Sequence, residues 1–214
     1  MLSNPLVQTF NHTRKRKIPL SMNNDPLHNH ALQIWDTALA AVDSAALVHQ
    51  AIHIDEQQIQ VGSTTVALNA VERIIVVGAG KAAAAMARGG IQAFENSPLQ
   101  SRITGWVNVP EDCCAELPQI TTHPGRPAHC NEPTAEGIHG TQQILDLIKS
   151  ANPQDLCICL ISGGGSALLP APIAGITLDD KQQITQLLSS HGANIQQLNS
   201  VRKKLSNVKG GRLA

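Results

Sequence analysis

Three stretches of this chain carry residue types suited to holding an anion. The first is Gly78-Ala79-Gly80-Lys81-Ala82-Ala83, which follows the β-branched run Arg73–Val77 and opens an alanine-rich segment. A strand, a glycine turn and a helix start in that order aim backbone N–H groups and a helix N-terminus at one point, where negative charge is favoured. A P-loop is excluded, because Ala82 follows the lysine and the GxxxxGK[ST] spacing is not met. The dinucleotide fingerprint fits only as a variant, with Ala83 in the place of the third glycine. The acid expected about 20 residues on, at the end of the next strand, is missing: Asn108 stands there and Glu111 comes late. In the remaining reading Lys81 gives a point charge to a bound anion. A lysine at a helix N-terminus opposes the helix dipole unless an anion sits beside it.

The second stretch is Ser162-Gly163-Gly164-Gly165-Ser166, directly after the apolar run Leu156–Ile161. Consecutive glycines cost conformational entropy, and they suit a place where backbone must approach a ligand or adopt positive φ. At the carboxyl end of a parallel strand such a turn lies on the ligand side of the sheet, and its N–H groups can form an anion nest. Ser162 and Ser166 add hydroxyl donors. A serine nucleophile is not indicated, since the GxSxG elbow is absent. The third stretch runs from Asn199 to Arg212. At helical spacing Val201, Leu205 and Val208 share one face, and Arg202, Ser206 and Lys209 share another.

Other reactive side chains give weaker signals. The segment His123-Pro124-Gly125-Arg126-Pro127 reads as a rigid polar loop with a structural histidine. The nine histidines form no metal-ligand spacing, and the five cysteines (Cys113, Cys114, Cys130, Cys157, Cys159) include no CxxC pair. Cys157 and Cys159 alternate within an apolar run and read as small buried hydrophobes. This usage fits a reducing, cytoplasmic setting.

The elements that must position these groups follow from hydrophobic period. Asp25-Pro26 starts a helix carrying Leu32, Trp35, Leu39 and Val42, and Asp43-Ser44 can break it in two. From Ile52 to Leu68 the period changes to two, with turn residues between short runs. Further strands are expected at Arg73–Val77, Ile103–Val109 and Leu156–Ile161. Helices are expected from Ala82 to about Ala93, after Asn131–Thr134, after Thr177 and after Asn194. Apolar strands alternating with helices predict a Rossmann-like, three-layer α/β/α fold with a mostly parallel sheet.

Composition sets further limits. No apolar run approaches the length of a membrane-spanning helix. With 2% aromatic residues and no tyrosine, the chain does not suit base-stacking recognition of nucleic acid. The formal charge is zero from 16 bases and 16 acids, but these are unevenly placed. Residues 1–22 hold 4 bases, Arg14–Lys17, and residues 199–214 hold 5; neither segment has an acid. Residues 1–22 therefore read as a basic, disordered extension, with Met22 an alternative start, and residues 23–214 as the folded part.

Three blocks of this sequence resemble the glycerate 2-kinase family, the class II glycerate kinases, whose members also bear the label hydroxypyruvate reductase. They are Val76–Ala82, Leu160–Leu169, and Leu198–Ser206 with Lys209–Ala214. The His123–Pro127 segment departs from the family's commoner His-Pro-x-Pro-Asp form. The resemblance covers residues 23–214 and implies transfer of the ATP γ-phosphoryl group to the 2-hydroxyl of D-glycerate, with Mg²⁺ accompanying ATP. It casts Lys81 and Arg202 as catalytic. Gly78, Gly80, Ser162, Gly163, Gly164, Gly165, Ser166 and Lys209 become substrate or phosphate contacts. Members continue beyond the Lys-Gly-Gly-Arg-Leu-Ala block into the rest of the first domain and a MOFRL domain. The chain is thus expected to be an amino-terminal portion, truncated at its C-terminus by a split gene, a premature stop or a partial record, and inactive alone; a separately encoded C-terminal half is one candidate partner. The alternatives are an NAD(P)-linked hydroxypyruvate reductase and a non-catalytic anion-binding remnant.

Overall fold

The computed structural model describes residues 26–213. The expectations for residues 1–22, the Asp25 cap and Ala214 lie outside the described residues. The chain divides into two compact units, Met1–Val42 and Asp43–Ala214. In the first, α1 (Pro26–Ala41) begins on the proline that presets its first turn, and Leu32, Trp35 and Leu39 are exposed.

The second unit opens with α2 (Ser44–Ala51), capped by the Asp43 carboxylate, which accepts the Ala46 N–H at 2.7 Å. The period-two segment becomes an antiparallel meander of β1 (Ile52–Ile54), β2 (Gln58–Val61) and β3 (Thr64–Ala67). Asp55 closes its first turn by accepting the N–H groups of Gln57 and Gln58, each at 2.8 Å. Those bonds hold its carboxyl below the ordinary range.

The main sheet contains β4 (Arg73–Ala79), β5 (Ile103–Pro110), β6 (Ile120–Arg126) and β7 (Asp155–Ile161) in the order β6-β5-β4-β7. All its pairings are parallel. Helix α3 (Ala83–Ala93) packs on one face, where Phe94, Ile74, Val76 and Val107 are fully or almost fully buried. Helices α4 (Ala135–Lys149) and α5 (Gly165–Leu168) cover the other, around Ile75, Val77, Ile144 and Leu168. The expected three-layer α/β/α architecture is therefore present. Strand β4 is central and buried on both faces, which is why its sequence is a continuous apolar run. Helices α6 (Leu178–Ser190) and α7 (Ile195–Lys204) follow, each opened by a capping box: Thr177 with Asp180, and Asn194 with Gln197.

Three readings of the sequence need correction. Residues His123–Arg126 belong to strand β6 rather than to a loop; β6 is an edge strand, where Pro124 takes no ladder position from a second neighbour. Cys157 and Cys159 are exposed, because β7 is the opposite edge and the outward side of its pleat is uncovered, with Ile161 at 52% exposure beside them. The C-terminal basic stripe is not one helix face. Helix α7 ends at Lys204, and Ser206, fully buried, forms an isolated bridge with Pro172.

Candidate functional site

The chain passes from β4 through α3 to β5 on one side, and from β6 through α4 to β7 on the other. The order therefore reverses between β4 and β7, and such a reversal leaves a crevice at the carboxyl ends of the strands. Both glycine turns lie there. They are joined to each other: the Ser162 N–H donates to Ala79 O at 3.1 Å and the Lys81 N–H donates to Gly163 O at 2.9 Å. The Ser162 hydroxyl oxygen accepts the Ala82 N–H at 3.0 Å, so this serine caps the turn before α3. Gly80 has φ +138°, and a Cβ there would overlap the Ser162 side chain. Only glycine lets the two turns close this tightly.

Gly164 has φ +85°, a left-handed conformation that glycine takes without strain. The place its Cβ would occupy lies 3.5 Å from Arg126 Nη2 and 3.6 Å from Lys81 Cγ. Arg126 ends β6 and is 2% exposed. Its Nη1 donates to the carbonyls of Pro127 and Cys130, while Nε and Nη2 are buried with no partner. These two N–H groups form one side of the guanidinium fork, the pair that grips a carboxylate or phosphate edge.

A cavity of about 370 Å³ adjoins the same turn, and neither Arg126 nor Lys81 lines it. Gly164, Ser166, Lys181, Arg202 and Lys209 line it, together with Glu132. The Lys209 ammonium donates to Ser166 O at 2.8 Å. Burial, then the charges of Lys181 and Arg202, push its pKa down to about 8. Burial, with Arg202 adding to it, lowers that of Lys181 as well. Among the described residues Arg73 forms an ion pair with Asp155 and His123 Nε2 lies 3.7 Å from the Glu136 carboxylate, and neither contact involves these cations.

The structure thus brings Lys81, Ser162, Gly163, Gly164, Gly165, Ser166, Arg202 and Lys209 to one crevice. Gly78 lies behind it, inside β4, where its lack of a Cβ lets Leu160 of β7 approach. The Gly165 N–H is taken up inside the turn, donating to Ser162 O at 3.2 Å. Asn108, at the end of β5, is fully buried; its amide donates to Leu168 O at 2.8 Å and accepts from Trp106 at 3.0 Å. His123 is structural, with Nε2 2.9 Å from Glu136 O. Among the described residues no group of three His, Cys, Asp or Glu could hold a metal ion. No single helix among them is long and apolar enough to cross a membrane.

Sequence reasoning missed Arg126 and Lys181. One signal was available. Arg126 is the lone base between Arg102 and Lys149, and Lys181 the lone base between Lys149 and Arg202, in stretches otherwise populated by acids.

Residues 30–214 match a family model described as a domain of unknown function, DUF4147. The chain belongs to this family. Its relatives carry a more informative name. Mouse glycerate kinase is 35% identical over 201 residues, a match covering 88% of this chain and 37% of the mouse protein. Among solved structures, the PH0495 protein of Pyrococcus horikoshii superimposes with a TM-score of 0.75 at 31% identity, over 90% of this chain and 42% of that one. Glycerate kinase of Thermotoga maritima gives 0.67 at 29% identity, over 87% and 40%. The resemblance read from the three sequence blocks is therefore confirmed, and the chain spans about two-fifths of the length of these relatives.

Proposed function

We propose that these 214 residues supply the anion-binding wall of a glycerate 2-kinase active site, which transfers the γ-phosphoryl group of ATP to D-glycerate. The observation that carries this reading is the set of cations around the Gly163–Gly165 turn: Lys81, Arg126, Lys181, Arg202 and Lys209, none in an ion pair among the described residues. The name of the mouse and Thermotoga relatives supports it.

Phosphoryl transfer asks a protein mainly for positioning and for compensation of negative charge. The glycerate 2-hydroxyl oxygen bonds to the γ-phosphorus, the bond to the β–γ bridging oxygen breaks, ADP leaves, and the hydroxyl proton is released. Lys81 and Arg202 offset charge on the transferring group. Gly78 and Gly80 let the first turn pack against β7. The Gly163 and Gly164 N–H groups and the Ser162 and Ser166 hydroxyls hold anionic oxygens, the Ser162 and Gly165 N–H groups being taken up within the turns, and Lys209 adds a donor. No group of three His, Cys, Asp or Glu among the described residues could hold a metal ion, and no step is assigned to Mg²⁺.

The test is coupled ATP consumption with D-glycerate, on the protein in its natural form and on its Lys81→Ala variant. Loss of about 10²-fold or more in kcat is expected from removing a charge that acts on the transition state. Equal rates overturn the reading. Hydroxypyruvate-dependent oxidation of NADPH that survives Lys81→Ala replaces it with the reductase. The 214 residues alone are expected to bind anions without turnover; robust turnover refutes that part.

A further inference from the structure

We propose that the cavity between α6, α7 and the glycine turn is a polyphosphate subsite, and that Lys181 is one of its binding residues. This rests on the kinase reading and deepens it by naming the cations that would hold the polyphosphate chain.

Lys181 is 8% exposed, and its ammonium has no hydrogen bond or ion pair among the described residues. The stem of Lys181 is buried and its half-buried head lies at the cavity, where partial desolvation disfavours the charge unless something compensates. The acids nearest in sequence do not do so. Asp179 accepts from Gln183 Nε2 at 2.6 Å, and Asp180 accepts from Thr177 N at 2.8 Å and Thr177 Oγ1 at 2.7 Å. A snorkelling lysine would turn its head toward open water. Lys181 instead lines the cavity with two like charges, Arg202 and Lys209. Repulsion from both lowers the Lys209 pKa further, so the three are close enough to interact.

The charge count selects the ligand class. Three cations, Lys181, Arg202 and Lys209, and one acid, Glu132, line the cavity. A monocarboxylate neutralises one positive charge, whereas a triphosphate supplies several along a chain and matches cations on separate walls. The volume of about 370 Å³ accommodates more than one phosphate group. The Arg126 fork and Lys81 lie beside Gly164 but do not line this cavity, which leaves them for a smaller anion. Two anions meeting at the turn is the arrangement that transfer between them needs.

The experiment is equilibrium titration of the 214-residue chain with inorganic tripolyphosphate, orthophosphate and ADP. Wild type is compared with Lys181→Met, Lys181→Arg and Lys203→Met, the last being an exposed α7 position. Tripolyphosphate should bind well ahead of orthophosphate. Lys181→Met should weaken it at least tenfold, Lys181→Arg should restore most of it, and Lys203→Met should leave it within twofold. Urea melts confirm that each variant is folded, and Lys181→Arg keeps the test open should Lys181→Met fail to fold. The proposal is overturned if tripolyphosphate does not bind, if it binds no better than orthophosphate, or if Lys181→Met binds as wild type does. If Lys181-dependent tripolyphosphate binding is found while the natural protein does not phosphorylate glycerate, the subsite stands and the kinase reading falls.

Discussion

Lys209→Met should stabilise the fold while weakening anion binding. In the free protein the Lys209 pKa is pushed from 10.5 down to about 8, first by burial and then by Lys181 and Arg202. A shift of that size corresponds to about 3 kcal/mol against the charged form. The substitution also deletes the 2.8 Å hydrogen bond to Ser166 O, worth about 1 kcal/mol. Methionine keeps most of the aliphatic volume, so the expected net gain at pH 7 is about 2 kcal/mol. The pH dependence gives a second check. Between pH 8 and 10.5 the unfolded wild-type chain binds more protons at this residue than the folded one, so wild-type stability rises with pH across that window. The gap to Lys209→Met should therefore be full below pH 8, close as pH rises, and reverse by about 1 kcal/mol near pH 10.5, where only the hydrogen bond still distinguishes the two. Urea unfolding at pH 7 and pH 10 measures it. Adding tripolyphosphate should raise the wild-type midpoint by mass action and leave the variant nearly unmoved. A variant less stable than wild type at pH 7, or a gap that does not shrink with pH, would refute the account of Lys209 as a buried charge held for a ligand.

Two further outcomes test how the site is supported. Gly80→Ala adds a Cβ at φ +138° against Ser162, and should cost at least about 2 kcal/mol in urea melts and disturb both glycine turns, lowering tripolyphosphate affinity. An equally stable variant would show that the two turns need not close as described. Asp155 accepts from Arg73 Nη2 at 2.7 Å and from the Asn152 N–H at 2.9 Å, and these bonds, Arg73 first, hold its carboxyl below the ordinary range. Its stabilisation is present above the unfolded value near 3.9 and is lost as pH falls through the lower folded value. Asp155→Asn should be less stable than wild type at neutral pH, and the two should converge on acidification below about pH 4; parallel curves would remove Asp155 from the acid transition.

How much of the fold could be read in advance depended on where each strand lies in the sheet. β4 was legible because burial on both faces requires an unbroken apolar run and Gly78-Ala79-Gly80 marks its end. β7 has nearly the same apolar character but is an edge, so Cys157, Cys159 and Ile161 face outward. Composition alone does not separate a central strand from an edge strand with one bare face. β6 failed in the opposite sense. Pro124 and Gly125 punctuate it like a loop, yet an edge strand tolerates both. Strand order is set by which strands pair, and no residue within a strand records it.

The same distinction governs the site. Lys81 and the glycines were legible because their geometry is local: a strand end, a turn and a helix start within a few residues. Arg126 and Lys181 owe their position to chain segments far away in sequence, β7 and its glycine turn for one, α7 and Lys209 for the other. Asp179-Asp180 beside Lys181 suggests an exposed, charge-balanced helix start, whereas both acids are engaged in capping and side-chain contacts. The C-terminal basic run shows why charge totals do not locate a site. Its five bases have separate roles: Arg202 and Lys209 line the cavity, Lys203 and Lys204 are exposed, and Arg212 donates to Ser206 O at 2.6 Å. The cavity instead gains its third cation from α6, in the acid-rich middle of the chain. What sets these cations apart is partial burial and the lack of a counter-ion, and both are properties of the folded arrangement.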